Sequence, residues 1–366
     1  MGKEGFNKTK LRDIAEKFDI KGSITDIQPV SGGLINTTCK VLTEPGNVDF
    51  ILQNKNSNIF KDIPAMMDNI LKVSTHLKAK IKTDDIPNME AMQVVKTKTG
   101  ELYYKDGDGE YWTMSVFIPD TIQFDGPISL ETARKGGQGI GKFHKQLSDF
   151  NLPLVETLPG FHDLGFRFRQ WDETLKENRA GRISELKKEI DWVEKRRPEM
   201  EKFHTLIESG VLPKRVVHND TKITNLLFNK NGSLRCVIDL DTVMQNTPLA
   251  DFGDAIRSMA NTGKEDDKDL SKVRLDMDIF NAYAEGYLSE TKDVLNEKEL
   301  EYLSFGPLYI TYEQVMRFLM DYIDGDRYYK IDYPEHNLVR TRAQMKLYES
   351  MEQNYENMKK SIQKGE

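Results

Sequence analysis

A tight-turn signal, Asn231-Gly232, lies between two short apolar runs and constrains the fold of this chain more than any other feature. The runs, residues 226–228 and 234–238, have the composition of β-strands, and Asn-Gly between such runs favours a two-stranded hairpin. Folding the chain about this turn places Asn225 opposite residue 238 or 239, at a distance of about 4.5–5.5 Å. The sequence therefore predicts that polar residues at the outer ends of the two runs lie close together.

These outer ends carry polar side chains at a characteristic spacing. His218, Asp220 and Asn225 read H-x-D-x-x-x-x-N, and Asp239 ends the second run. Phosphoryl transfer requires a carboxylate that accepts the proton of the attacking hydroxyl, and an Asn and a second Asp that hold Mg²⁺ on the phosphates. One cation with ligand distances of about 2.1 Å can bridge opposed residues of a hairpin. We therefore predict Asp220 as the catalytic base and Asn225 and Asp239 as magnesium ligands; alternatively, Asp220 caps backbone amides of a turn.

The segments H-N-D-T-K-I-T-N and V-I-D-L-D resemble the catalytic and metal-binding segments of the aminoglycoside phosphotransferase and choline kinase superfamily. The resemblance implies an α+β, protein-kinase-like two-lobed fold, with a β-rich N-lobe, a helical C-lobe, and ATP and magnesium in the cleft between them. It also implies that His218 braces the catalytic loop rather than reacting. We place the lobe boundary near Ile118, so that residues 1–118 form the nucleotide-binding N-lobe and residues 119–366 the catalytic C-lobe with the acceptor pocket.

Length, charge and cysteine content limit the remaining possibilities. The chain has 366 residues, of which 38% are hydrophobic, enough for a sizeable core. Its net charge of −7 argues against a dedicated nucleic-acid binder. The two cysteines, Cys39 and Cys236, are far apart and predict neither a disulfide framework nor a cysteine metal site. We find no secretory signal and no apolar run of about 18 residues, so we expect a cytoplasmic protein without a membrane partner. The sequence leaves the oligomeric state open.

The N-lobe contains a candidate nucleotide-binding loop and strand. Strand-like runs at 24–30 and 38–43 flank Gly32-Gly33, which could let backbone amides approach phosphates or could simply turn a hairpin. In the resembled kinases the next strand carries a phosphate-contacting lysine. Here Gln53 occupies that position, and Lys55 lies two residues on, on the same strand face. Either Lys55 substitutes for the lysine or Gln53 contacts the phosphates as a neutral donor.

Two further predictions complete the N-lobe. The helix expected at 63–79 offers Asp68 in roughly the place of the glutamate that pairs with the kinase lysine. After strands predicted at 92–97, 102–105 and 111–117, the resemblance implies that the backbone of Phe117 and Ile118 recognises adenine. The alternative for this segment is an ordinary strand end before proline.

In the C-lobe, helical spacing predicts helices at 130–147, at 183–207 with a break near Pro198, and at 340–359. The aromatic segment 159–171, with Arg167 and Arg169, could bind an acceptor or pack the lobe. Asp251 and Asp254 lie at the expected start of a helix, where we predict that they cap amides. Asp241, on the same strand face as Asp239, is a candidate for a supporting or second-metal role.

The segment 311–338 is rich in polar and aromatic residues, a mixture that suits a sugar. Together with G-G-L-I-N-T and H-N-D-T-K-I-T-N, it resembles bacterial N-acetylhexosamine kinases, which phosphorylate the anomeric hydroxyl. The resemblance implies that Arg317 and Tyr328 contact the hexosamine. Alternatively, Arg317 pairs with Asp321 one helical turn on and Tyr328 fills part of the core.

We therefore predict ATP- and magnesium-dependent transfer to the anomeric hydroxyl of N-acetylhexosamines, GlcNAc or GalNAc. Another small-alcohol kinase, acting on an amino alcohol, homoserine or an aminoglycoside, is the enzymatic alternative. A catalytically silent kinase-like binding protein is the alternative from another class, and Gln53 in the lysine position suggests it.

Overall fold

The computed structural model describes residues 7–30, 36–124, 126 and 128–365. The chain divides into two compact units, each of which is discontinuous in sequence. Unit 1 comprises Met1–Ile122, Asp149–Leu158 and Leu227–Met244, and unit 2 comprises Gln123–Ser148, Pro159–Leu226 and Gln245–Glu366. The functional division that we place near Ile118 stays a prediction. Two later segments, Asp149–Leu158 and Leu227–Met244, also belong to unit 1.

Unit 1 is built on an antiparallel sheet with the strand order β1-β2-β3-β6-β4, and β5 pairs with β6. Leu11, Ile14 and Phe18 cover apolar sheet residues such as Val41 and Leu52. The sequence runs predicted each of these strands, although β4 and β5 are shorter than expected. The elements before the hairpin are α1 (Lys8–Ala15), β1 (Ile24–Pro29), β2 (Thr37–Thr43), β3 (Phe50–Lys55), α2 (Ile63–Thr83), β4 (Val94–Val95), β5 (Tyr104–Lys105) and β6 (Tyr111–Val116).

The predicted hairpin is present, with β8 (Leu226–Phe228) paired to β9 (Leu234–Val237). Gly232 has φ 82°, a left-handed conformation that glycine adopts at little cost. The Asn229 N–H donates to the Ser233 carbonyl at 2.8 Å and closes the turn. A 3₁₀ turn, Ile223–Asn225, directly precedes β8, so Asn225 lies at the end of that turn rather than in the strand.

Unit 2 is mainly helical, and two of its helices differ from the prediction. The helix expected to break near Pro198 runs unbroken through it. Trp192 and Phe203, on either side of the proline, both pack on tyrosines of α9 (Gly306–Ile323) and keep the helix continuous. The single helix expected at 340–359 is two helices. The Asn354 Nδ2 group donates a hydrogen bond to the Ser350 carbonyl oxygen at 2.8 Å, and the first helix ends there.

The remaining elements are α3 (Leu130–Gln146), α4 (Leu164–Glu177), α5 (Lys187–Glu208), β7 (Arg215–Val217), β10 (Met244–Asn246), α6 (Pro248–Met259), α7 (Met277–Thr291), α8 (Glu297–Tyr302), α9 (Gly306–Ile323), α10 (His336–Gln353) and α11 (Tyr355–Gly365). In the part of the chain that the structure describes, none of these helices has the length and apolar character needed to cross a membrane. Both cysteines are buried free thiols.

Helices α3 and α7 pack closely because glycines lie at their contact. A Cβ atom on Gly137 would clash with the Tyr283 carbonyl oxygen, and one on Gly286 would clash with the Arg134 carbonyl oxygen. Backbone atoms cannot move aside as a flexible side chain can. The contact positions α3, which carries His144 toward the candidate site.

Replacing Gly137 by Ala is therefore expected to lower the free energy of unfolding by about 1–3 kcal/mol, the usual cost of overpacking. Urea unfolding followed by circular dichroism measures the loss. Gly107→Ala is the matched control, since a Cβ atom there meets no heavy atom within 4 Å. Equal stability of the two variants would show that the helices can separate without cost.

Candidate active site

Asp220 and Asn225 lie together in a loop of unit 2 that follows β7. The Asn225 Nδ2 group donates to the Asp220 carbonyl oxygen at 2.9 Å and to its Oδ2 at 3.2 Å. Lys222 Nζ donates to the same Oδ2 at 2.7 Å. Asp220 is half-buried, whereas Asn225 is buried. The loop thus presents one oriented carboxylate, and the catalytic and metal-binding roles of these residues stay predictions.

Two aspartates of α6 hold this loop by its backbone. Asp251 Oδ2 accepts the His218 N–H and Oδ1 accepts the Asn219 N–H, both at 2.7 Å. Asp254 Oδ2 accepts the Thr221 N–H at 3.1 Å. The expectation that these aspartates cap their own helix is wrong, because Thr247 caps α6 and the carboxylates face the loop instead.

Asp251 is fully buried and depends on a histidine for its charge. His144 Nε2 lies 2.8 Å from Asp251 Oδ2, and His144 Nδ1 lies 2.8 Å from the Tyr287 hydroxyl. Burial raises the pKa of Asp251, but the hydrogen bond and charge of His144 outweigh burial and hold that pKa below its usual value. His144 therefore stabilises the loop indirectly, through Asp251, which accepts backbone N–H groups of the loop.

His218 is itself buried and braces the loop, as the resemblance implied. Its Nδ1 accepts the Asp220 N–H at 3.3 Å, and its ring lies 5.9 Å from that of Phe143. The imidazole therefore fixes the peptide that carries the candidate base.

Asp239, in unit 1, follows β9 in a left-handed conformation with φ 62° and ψ 50°. A non-glycine residue in this region is uncommon and indicates a local constraint. The 3₁₀ turn Leu240–Thr242 begins directly after it. The turn places Asp241 in the interior, where its side chain is 7% exposed.

Asp241 is the partner of Lys55. Lys55 Nζ lies 2.7 Å from both carboxylate oxygens of Asp241 and 2.8 Å from Gln53 Oε1. Asn36 Nδ2 also donates to Asp241, at 2.8 Å. Asp68, expected in the place of the glutamate partner, instead pairs with Lys72 on its own helix at 2.8 Å. No local sequence signal indicates this pair, because its members are 186 residues apart.

The other residues predicted to bind the nucleotide lie next to the sheet or outside the described residues. Gly32 and Gly33 fall within 31–35, which the structure does not describe. The Phe117 N–H donates to the Asp49 carbonyl at 2.9 Å, and Lys40 Nζ lies 3.7 Å from the centre of the Phe117 ring. Ile118 is buried. Adenine recognition by this segment stays a prediction.

Arg317 lies on α9 among aromatic rings. The centres of the Phe161, Tyr328 and Tyr329 rings lie 5.7, 5.8 and 5.5 Å from its guanidinium carbon. These distances allow cation–π attraction. Arg317 Nη1 donates to Gln314 Oε1 at 3.2 Å.

Neither non-binding alternative for Arg317 and Tyr328 agrees with the structure. Asp321 accepts the backbone N–H groups of residues 327–329 at 2.8–2.9 Å, and so holds the loop after α9 rather than pairing with Arg317. Tyr328 is 60% exposed and does not fill the core. The contact of both side chains with an acceptor stays a prediction.

The ligands proposed for magnesium have suitable chemistry. Mg²⁺ prefers oxygen ligands and is usually held by one or two protein groups together with phosphates and water. Because the Asn225 Nδ2 group is bound to Asp220, its Oδ1 is the atom that could ligate a cation. Asp239 would supply a carboxylate oxygen. Within the described ranges, no group of three or more His, Cys, Asp or Glu side chains is placed to hold a metal ion.

Comparison with known families supplies the deciding observation. The model of the phosphotransferase enzyme family matches residues 26–290 of the chain. The chain belongs to this family. Membership of the aminoglycoside phosphotransferase family, predicted from the catalytic segments, is thus confirmed for this phosphotransferase. The narrower resemblance to hexosamine kinases remains a proposal.

Solved structures similar to this phosphotransferase establish its fold. A spectinomycin phosphotransferase in complex with ADP and spectinomycin is 12% identical with a TM-score of 0.59, over 96% of this chain and 99% of that one. A microcompartment-associated aminopropanol kinase is 15% identical with a TM-score of 0.60, over 96% and 98%. An ethanolamine kinase from Plasmodium vivax is 14% identical with a TM-score of 0.54, over 87% and 82%. These likenesses confirm the predicted α+β, kinase-like fold.

Proposed function

We propose that this phosphotransferase transfers the γ-phosphoryl group of ATP, with magnesium, to the anomeric hydroxyl of an N-acetylhexosamine. The observation that carries the proposal is the Asp220 loop, whose backbone is fixed by the buried Asp251 and Asp254. A carboxylate held in this way is pre-organised to orient a hydroxyl and accept its proton. Such a support would be superfluous in a protein that only binds nucleotide.

In the proposed reaction Asp220 orients the acceptor hydroxyl in line with the γ-phosphorus and takes its proton. Lys222, 2.7 Å from Asp220 Oδ2, keeps the carboxylate in one orientation. Asn225 and Asp239 would each ligate magnesium, which neutralises charge on the phosphates when bound. Catalysis then depends on positioning and electrostatics more than on covalent chemistry.

For the nucleotide, Lys55 is the better candidate of the two alternatives. Its ammonium group has three N–H donors, and these face two Asp241 oxygens and Gln53 Oε1. A phosphate oxygen could replace the neutral Gln53 as the third acceptor while Asp241 keeps the lysine in place. Gly32 and Gly33 would supply backbone amides to the phosphates, and Phe117 and Ile118 would contact adenine.

The surroundings of Arg317 favour a neutral acceptor. Burial lowers the pKa of Arg317, but the neighbouring Tyr329 and Glu313 outweigh burial and raise it, so the side chain is cationic. A fixed cation opposes binding of an ammonium group and can donate to sugar hydroxyl or acetamide oxygens. Tyr328 and Tyr329 offer ring faces for the apolar side of a sugar. The aminopropanol and ethanolamine kinases with this fold make amino alcohols the second candidates.

An acceptor screen tests the proposal. With ATP and Mg²⁺, we expect ADP formation on addition of GlcNAc or GalNAc, and nuclear magnetic resonance of the product should place the phosphate on C1. Arg317→Lys should raise KM for the sugar about tenfold, the loss expected from one hydrogen bond to a charged group, with KM for ATP unchanged. Arg274→Lys, at an exposed arginine outside the proposed acceptor site, is the matched control.

Other outcomes of the screen would select the alternatives. Turnover with only aminopropanol, ethanolamine, homoserine or spectinomycin would show that this compound, and not the sugar, is the acceptor. No turnover with any of these compounds, together with ATP binding, would favour the silent binding protein.

A further inference from the structure

A buried ion cluster, His162 with Glu313 and Arg167, lies against the candidate catalytic loop within unit 2. Glu313 Oε2 lies 2.6 Å from His162 Nδ1, and Glu313 Oε1 accepts from Arg167 Nε at 3.0 Å. The Glu313 side chain is 1% exposed and that of His162 is 7% exposed. Buried charges at such distances are costly unless each one is paired. No sequence motif indicates a role for His162 or Glu313, and the segment that contains Arg167 was expected to bind an acceptor or to pack the lobe.

The hydrogen bonds of His162 define its protonation state. Its Nδ1 faces a carboxylate oxygen, and its Nε2 lies 3.1 Å from the Asn219 carbonyl oxygen. Both partners can only accept a hydrogen bond, so both ring nitrogens must carry a proton. His162 is therefore an imidazolium ion in the folded protein. A neutral ring would leave a nitrogen lone pair facing one of the two oxygens.

The second of these bonds acts on the peptide that carries Asp220. The Asn219 carbonyl oxygen and the Asp220 N–H belong to the same peptide group. His162 donates to the carbonyl oxygen, and His218 Nδ1 accepts the N–H at 3.3 Å. Two histidines thus hold opposite ends of one peptide plane. Asn219 has φ 64°, in the left-handed region that asparagine adopts more readily than most residues other than glycine.

We infer that His162 is a positioning residue for Asp220, and that full turnover requires its imidazolium form. The inference rests on the proposed kinase function. When His162 loses a proton, the hydrogen bond to Glu313 is kept because its acceptor is charged, and the bond to the Asn219 carbonyl is lost. The 219–220 peptide can then rotate, and Asp220 no longer has a single orientation.

The charges around His162 set the pH at which this occurs. Glu313 and Arg317 face it from α9, Arg167 belongs to the same cluster from α4, and Asp254 acts on it from α6. Burial lowers the pKa of His162, but the charge and hydrogen bond of Glu313 outweigh burial and raise it above its ordinary value. The imidazolium form therefore persists to a higher pH than that of an ordinary histidine. It is lost as the pH rises through the raised value, so kcat should fall on the alkaline side.

Two variants and a direct titration test the inference in the full chain. His162→Gln should lower kcat about tenfold, the cost of one hydrogen bond to a charged group, and should remove the alkaline fall with KM for ATP unchanged. Glu313→Gln keeps the shape and an amide oxygen that can accept from His162, but it removes the charge and places its NH₂ group opposite Arg167 Nε. We expect it to shift the alkaline fall of kcat to lower pH, with kcat near that of the wild type at acid pH.

The control is His204→Gln on α5, which replaces another histidine near a carboxylate, Asp163, at 3.6 Å. Nitrogen resonances of the imidazoles, assigned by loss of a signal in His162→Gln, should show both nitrogens of His162 protonated at neutral pH. An unchanged pH profile in both variants, or a neutral His162 at pH 7, would overturn the inference while leaving the kinase proposal intact. A wild-type protein without turnover on any acceptor would overturn both.

Discussion

Replacing Asp220 by Asn is expected to lower kcat about 10²–10⁴-fold, the usual contribution of a general base. The amide cannot take a proton from the acceptor hydroxyl, although it can still accept hydrogen bonds from Lys222 and Asn225. KM for ATP should change little, because the proposed role concerns the acceptor. Initial rates with the acceptor found in the screen, measured at saturating ATP and magnesium, give the ratio.

Asp191→Asn is the control for this substitution. Asp191 is an exposed carboxylate that also has a lysine partner, Lys187, at 2.6 Å, so the change of charge is the same. Both variants should unfold at the same denaturant concentration as the wild type. Full turnover of Asp220→Asn with its true acceptor would remove Asp220 from the mechanism and, with it, the carboxylate on which the proposal depends.

Replacing Asp251 by Asn is expected to lower the free energy of unfolding by about 1–3 kcal/mol, the cost of leaving a buried hydrogen-bonding group unsatisfied. Asp251 accepts the backbone N–H groups of His218 and Asn219 and lies 2.8 Å from His144 Nε2. An amide offers one acceptor oxygen, and its NH₂ group would face a donor. The catalytic loop would also lose its anchor, so turnover should fall with stability. Urea unfolding monitored by fluorescence measures the effect.

The same residue predicts a pH dependence of stability. Because the pKa of Asp251 is lower in the folded protein than in the unfolded chain, its stabilising contribution is complete above the unfolded value, about 3.9. It is lost as the pH falls through the folded value. The free energy of unfolding of Asp251→Asn should fall less on acidification than that of the wild type. Asp293→Asn, at an exposed position, should keep both the stability and the acid dependence of the wild type.

Local sequence signals predicted much of the fold. Asn231-Gly232 located the hairpin because its backbone preference acts over only a few residues. The apolar periodicity of residues 130–147 located α3 to within one residue of its C-terminal end. Such signals depend only on residues that are close together in the chain, so a single sequence is enough to detect them.

Tertiary partners could not be predicted in the same way. The pairing of Lys55 with Asp241 and the support of the loop by Asp251 depend on contacts 186 and 33 residues apart in the sequence. The helix through Pro198 has a similar cause, since packing of Trp192 and Phe203 on α9 outweighs the local preference of proline. Glu313 is the clearest example of a residue whose role the sequence does not reveal. Its position in a helical pattern indicates only an ordinary polar residue, whereas its role depends on contacts with the distant residues His162 and Arg167.

The discontinuous sequence of unit 1 has a consequence for how the protein is made. Phe228 exchanges two backbone hydrogen bonds with Ile122, and Arg235 pairs with Glu90 at 2.6 Å. A ribosome that has released the first 122 residues has therefore not yet supplied the hairpin that completes this unit. The contacts of unit 1 with this hairpin therefore form only after more than a hundred further residues, about 5–20 s of synthesis at the usual rate. Fragments ending near residue 122 should consequently aggregate, so intact chains are the material of choice for studying nucleotide binding.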